Sequence, residues 1–281
     1  VGVGASFALT ITDHATTARL ADTAAITGAA GISVSATGGY GVWTEAEGGA
    51  AGGTGGSPVV AISVARNVTE ASVGTGAALT LSGDLEIGAE HVAETTTAAK
   101  GDATGASAAI GLSLGLGISE DSATATLSRD VAAGGGVTLE VTGGAASSSS
   151  SAASAAGAEE DDESPDTQEG AVDQENQRQL DAANQQATQR RTSGEGSGQT
   201  ETPEASTGDG QLSVAAAVAI NLGEAVFSAA PADGVTIASE GAVTIRARGN
   251  ADAAAEATGE AASGGSGAVG VAVALTVADS D

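Results

Sequence analysis

The chain has no cysteine and no methionine, and its 281 residues include one Trp, one Tyr and two Phe. Without thiols there are neither disulfides nor thiolate metal sites, although the absence says little about compartment. With so few bulky side chains, any core has to be thin. Basic residues are scarce as well: nine Lys plus Arg stand against 36 Asp plus Glu, for a net charge of −27. A chain of that charge is repelled by DNA, RNA or an anionic bilayer surface at low salt, which argues against nucleic-acid binding. The two histidines, His14 and His91, fall at different places in the pattern described below. They read as ordinary loop residues, with no convergent set for zinc or general-base chemistry. No run of eighteen apolar residues exists, and the longest candidates, Val214 to Leu222 and Val269 to Val277, are too short to span a bilayer. No signal peptide is visible either.

What the chain does have is a repeat with a period of about 53 residues. Alternating small-and-aliphatic strands recur at Leu9-Thr10-Ile11, Ile62-Ser63-Val64, Leu116-Gly117-Ile118 and Val218-Ala219-Ile220, and a fifth opens at Leu275-Thr276-Val277. A turn rich in Gly or acidic residues follows each of the first four, and then a second alternating run. These runs begin at Ile32-Ser33-Val34, Leu85-Glu86-Ile87, Val137-Thr138-Leu139 and Val243-Thr244-Ile245. Period-two alternation carried by Val, Ile, Leu and Thr predicts strands with one face in and one face out. Self-similarity at such a period predicts units that stack because none can bury its apolar face alone. The expected fold is all-β, an elongated parallel β-solenoid, with the aliphatic positions, Ile118 among them, in its core.

Residues 1–157 hold repeats one to three, with boundaries near Ser57 and Ser107, and residues 211–281 hold a fourth and the start of a fifth. Between them, residues 158–210 form an insertion with an acidic run from Glu159 to Glu163, a Gln-rich stretch and a Gly/Ser/Thr/Pro tail. That composition predicts a largely disordered loop, with Val172 to Arg191 as a helix candidate whose acidic start and Arg190-Arg191 end complement the helix dipole. The chain opens and closes within copies of the same strand, so the expectation is a window from a longer polypeptide whose export signal and anchor lie outside it.

Acidic residues recur after the first strand of several repeats as Asp13, Glu120, Asp121 and Asp279, which makes them calcium candidates. A hard cation needs about six to eight oxygens, and Arg66 and Leu222 hold the equivalent places in the other repeats, so an ion ladder along the stack is not expected. No other cofactor is indicated. The Gly clusters at residues 52–56 and 264–267 lack the Lys-Ser/Thr or helix start that holds a phosphate and read as turns. Thr clusters such as Glu94-Thr95-Thr96-Thr97 lack the fixed spacing of a ranked ice-binding face. Tyr40 and Trp43, beside Glu45 and Glu47, form a candidate ligand-contact patch suited to a polysaccharide.

The runs Gly134-Gly135-Gly136-Val137-Thr138-Leu139-Glu140-Val141-Thr142-Gly143 and Glu240-Gly241-Ala242-Val243-Thr244-Ile245-Arg246-Ala247-Arg248-Gly249 resemble the repeats of large bacterial surface and secreted proteins, the filamentous-haemagglutinin-like and autotransporter-type adhesins. The resemblance implies an extracellular, cell-surface stalk or adhesin and hands over no catalytic residue. The period departs from the shorter coil of those adhesins, so each repeat is either two unequal coils or one broad coil. The expected function is a non-catalytic structural or adhesive segment of a giant surface or filament protein. Its expected partners are neighbouring repeats or identical subunits joined end to end. A carbohydrate-active or polysaccharide-binding β-helix protein is the alternative, and such an enzyme would line a groove with acidic pairs and aromatics.

Overall fold

A computed structural model describes residues 1–157, 212–262 and 267–280. The insertion expected at 158–210, with its helix candidate, lies outside the described residues. The described chain is all-β: β1 (Gly2–Val3), β2 (Ser6–Leu20), β3 (Ile32–Val73), β4 (Leu79–Leu81), β5 (Leu85–Leu127), β6 (Val131–Ala133), β7 (Val137–Gly157), β8 (Leu212–Pro231), β9 (Ile237–Ser239), β10 (Val243–Ala262) and β11 (Ala268–Ser280).

Every pairing is parallel, and each residue lies on its equivalent in the next repeat: Ile32 on Leu85, Leu85 on Val137, Val137 on Val243. One repeat is therefore one broad coil of a parallel β-solenoid. β3 and β5 each run the length of one sheet, bend through a corner and return in a second sheet facing the first. In β3 the bend falls at Gly52 to Thr54, where the register with β5 shifts. The front sheet comprises the first halves of β3 and β5 with β7 and β10. The back sheet comprises β1, β2, the second halves of β3 and β5, β8 and β11. A narrow third sheet, β4-β6-β9, closes the side opposite the corners.

The space between front and back sheets is a wedge. At the third-sheet side it is filled by Leu79, Leu85, Ile87, Leu127, Val137 and Leu139. Towards the corners it narrows to alanines: Ala103, Ala109, Ala153, Ala155, Ala215 and Ala217. There the backbones come so close that a Cβ on Gly111 would lie 2.1 Å from the Ser154 carbonyl oxygen, and one on Gly115 2.6 Å from that of Ser150. Glycine is the residue that admits such an approach.

This close approach reverses the expectation for the first strand of each repeat. The alternation was legible, but its inward members are the small residues: Gly111, Ser113, Gly115, Gly117 and Ser119 are buried, while Ile118 faces outward and is half-buried. Leu9 and Ile11, 51% and 70% exposed, also point away from the core. For the second run the expectation holds in the middle coils, with Leu85, Ile87, Leu139 and Val141 inside, while Val243 and Ile245 of the last coil are exposed.

The turns between coils are held by carboxylates and one guanidinium. Asp22 accepts from the backbone N–H of Thr75 at 2.8 Å, Asp84 from Gly136 at 2.7 Å and Asp130 from Thr236 at 2.7 Å. The Thr75 backbone N–H and hydroxyl, with Arg19, hold the Asp22 pKa below the ordinary carboxylate value. Arg129 is buried and donates to four carbonyls from the two preceding turns: Gly74, Ala24 at 2.7 Å, and Ala21 and Thr75 at 2.9 Å each.

Candidate functional site

The two broad outer faces differ in chemistry, because the outward members of the alternation differ in the two sheets. On the front sheet they are mainly Ser, Thr, Glu and Gly, with Trp43 and Val92 as isolated apolar members, and the Glu47–Lys100 and Glu140–Arg246 pairs at 3.5 and 3.3 Å lie across neighbouring strands. Partial burial works against the Lys100 charge, but Asp102 and Glu47 outweigh it and hold the pKa above the ordinary lysine value. Solvation and cross-strand charge pairing make this an ordinary water-facing surface.

On the first half of each back-sheet strand the outward positions are predominantly large and apolar in every coil. One column along the stack is Phe7, Val60, Leu114, Val218 and Val273; the next is Leu9, Ile62, Leu116, Ile220 and Leu275; a third is Ile11, Val64, Ile118, Leu222 and Val277. Ile110, Val214 and Val269 extend the patch on one side. On the other side it stops at a charged column, Asp13, Arg66, Glu120, Glu224 and Asp279. Contiguous apolar surface on this scale is unusual for a protein face left to water and marks an interaction surface.

The sequence-derived candidates divide between the outside and the inside of the coil. Asp13, Glu120 and Asp279 do share one outward column, but Arg66 stands between Asp13 and Glu120, at 3.6 and 3.9 Å from their carboxylates. The fourth member of that column is Glu224 rather than Leu222. Asp121 faces the other way and is buried. Among the described residues no group of three or more His, Asp or Glu is arranged to hold a metal ion. Trp43, Glu45 and Glu47 lie exposed on the front sheet, with the indole N–H donating to Glu45 Oε2 at 3.3 Å. Tyr40 is not beside them: its ring turns inward, stacks on His14 at 5.6 Å between centroids, and its hydroxyl donates to the Val68 carbonyl at 2.7 Å.

The histidines, expected in loops, are both strand residues, His14 in β2 and His91 in β5. His91 is fully buried, with Nδ1 3.0 Å from Thr69 Oγ1 and Nε2 3.4 Å from Asp121 Oδ1. Asn67 donates to Asp121 at 2.8 Å, and its Oδ1 lies 3.0 Å from His14 Nδ1. Gly38, Gly143 and Gly249 share the His91 column, and a Cβ on Gly143 would lie 2.0 Å from the Phe227 ring. The succession Thr69, His91, Asp121 has the residue types of a nucleophile, base and orienting acid, but it is walled in on all sides. The recess beside Asp121, lined by Ser119, Ser147, Gly223 and Asp252 among others, holds about 10 Å3, the size of one water. The arrangement joins neighbouring coils through satisfied polar groups, a role that residues 53 or 54 positions apart play only once stacked.

Fold and site together define a parallel β-solenoid slab with one polar and one apolar broad face. The chain matches no family model, no curated protein and no solved structure.

Proposed function

We propose that this chain is a non-catalytic structural or adhesive segment of a giant bacterial cell-surface or extracellular filament protein, a repetitive stalk that joins further coils or identical subunits end to end. The observation that supports this is the unbroken parallel register of the back sheet through all five coils, which any further coil of the same kind can extend. Among the described residues, β2 at one end of the stack pairs with β3 alone and β11 at the other with β8 alone, leaving a row of backbone donors and acceptors on the far side of each. Enclosure of the Thr69–His91–Asp121 set favours a structural role for it over a catalytic one.

Light scattering across a salt series tests the proposal. The expected outcome is open-ended growth, to species larger than a pair, that increases as salt screens the charge of −27. A chain that stays at one or two copies at every ionic strength would overturn end-to-end joining.

A further inference from the structure

We infer that the apolar back face is the contact surface for a second copy of this chain, packed face to face so that the two solenoids run side by side with their coils level. The area is sufficient. Five strands at about 4.8 Å, each offering about nine residues at 3.3 Å, give a face of roughly 24 by 30 Å. Two such faces remove about 1,400 Å2 from water, within the roughly 1,200–2,000 Å2 of specific, stable interfaces. The outward members are chiefly Val, Ile and Leu, with Phe7, Pro58 and Ala216 among them, an apolar composition that packs sheet on sheet at about 10 Å in β-sandwiches.

The charged column selects the geometry. It borders the apolar patch on one side only, and four of its five members are acidic. A two-fold axis along the strands would lay that acidic margin on its own copy, Asp13 near Asp279. A two-fold axis along the stack reverses the strand direction across the contact and sends the two acidic margins to opposite edges. The second arrangement avoids like-charge apposition, which disfavours wrong pairings. It also sets each coil against the same coil of its partner, so pairing continues however many coils follow. The front faces, with their Glu and Asp residues, then form both outer surfaces of the pair, and their repulsion limits lateral association to two.

This contact is independent of end-to-end joining and has its own signature. Sedimentation equilibrium of the full chain should show a dimer, and the double substitution Ile62→Lys with Leu116→Lys should weaken it by at least about 100-fold. Glu94→Lys on the front face should leave it unchanged. Because the chain has no cysteine, Val60→Cys introduces a single thiol in the middle column of the patch, on the second of its five coils. It should crosslink to the Val60→Cys of a second copy by a short bis-maleimide, a readout that needs no destabilising change. Failure of that crosslink, with crosslinking instead between Val60→Cys and Val218→Cys chains, would overturn the geometry. A chain that remains monomeric at about 100 μM overturns the inference, and flotation of that monomer with phosphatidylcholine vesicles would reassign the face to lipid.

Discussion

Arg129 shows how a thin solenoid secures its turns. Its guanidinium lies in the turn before β6, among the described residues no carboxylate is within ion-pair distance of it, and four carbonyls from the two preceding coils share its charge. Arg is suited to this because its planar fork reaches several acceptors at fixed angles, whereas the Lys ammonium offers a point charge. Removing it takes the guanidinium donor from the Gly74 and Ala24 carbonyls, at about 1–3 kcal/mol each, while the Thr75 and Ala21 carbonyls keep the backbone N–H of Thr23 and Ala24. Arg129→Ala should therefore lower stability by about 2–6 kcal/mol, the sum over those two acceptors, and Arg129→Lys should recover only part of it. Chemical unfolding measures both; equal stability of Arg129→Ala and the parent would show that the turns hold without the staple. His91 acts by the same logic between Thr69 and Asp121, tying the front sheet to the back.

At the scale of the strand, the position of the small residues matters more than that of the large ones. Along the second half of β5, Gly111, Gly115 and Gly117 face the front sheet while Leu112, Leu114, Leu116 and Ile118 face away. Gly111→Ala should be strongly destabilising, by about 2 kcal/mol or more, because its methyl would overlap the Ser154 carbonyl and force the sheets apart. Ile118→Thr should cost under about 1 kcal/mol in the isolated chain, since the position is already half in water. Thermal unfolding of the two variants in the opposite order would place the aliphatic edge in the core after all. The repeat length, the parallel all-β architecture and the strand positions were legible from alternation and self-similarity. Which edge of the strand faces in was not, because period two is symmetric between its two sets, and hydrophobicity alone chose the wrong one for Ile118. The interleaving of Gly111, Ser113, Gly115 and Gly117 with Leu was the available signal: an edge of such small residues suits close approach to a neighbouring backbone. The buried His91–Asp121 link was hidden for another reason. Its members lie on different coils and opposite sheets, so their meeting depends on the fold of the whole coil rather than on local spacing.

The described part of the molecule is broad rather than tall. A strand of about 20 residues extends about 65 Å, while five stacked coils rise only about 24 Å. The long dimension of this segment thus runs across the solenoid axis, and the two broad faces dominate its surface. That proportion gives face-to-face contact more area than the ends can offer, while the ends alone offer the chain's hydrogen-bonding pattern to a further coil.

The small-residue interior also fixes how the fold responds to temperature. Between the two long sheets the buried side chains are largely Ala, Ser, Thr and Gly, with the larger aliphatics gathered at the third-sheet side or turned outward. Unfolding the separated chain therefore exposes little new hydrocarbon and much peptide. These two kinds of surface change the heat capacity in opposite directions, and ordinary domains gain about 12–15 cal/mol/K per residue because the apolar part wins. Here the increment should fall below that range, which scanning calorimetry of the separated chain measures directly; a value at or above it would mean that far more hydrocarbon is buried than the wedge contains. A small increment flattens the dependence of stability on temperature, so the slab should weaken only gradually on warming or cooling.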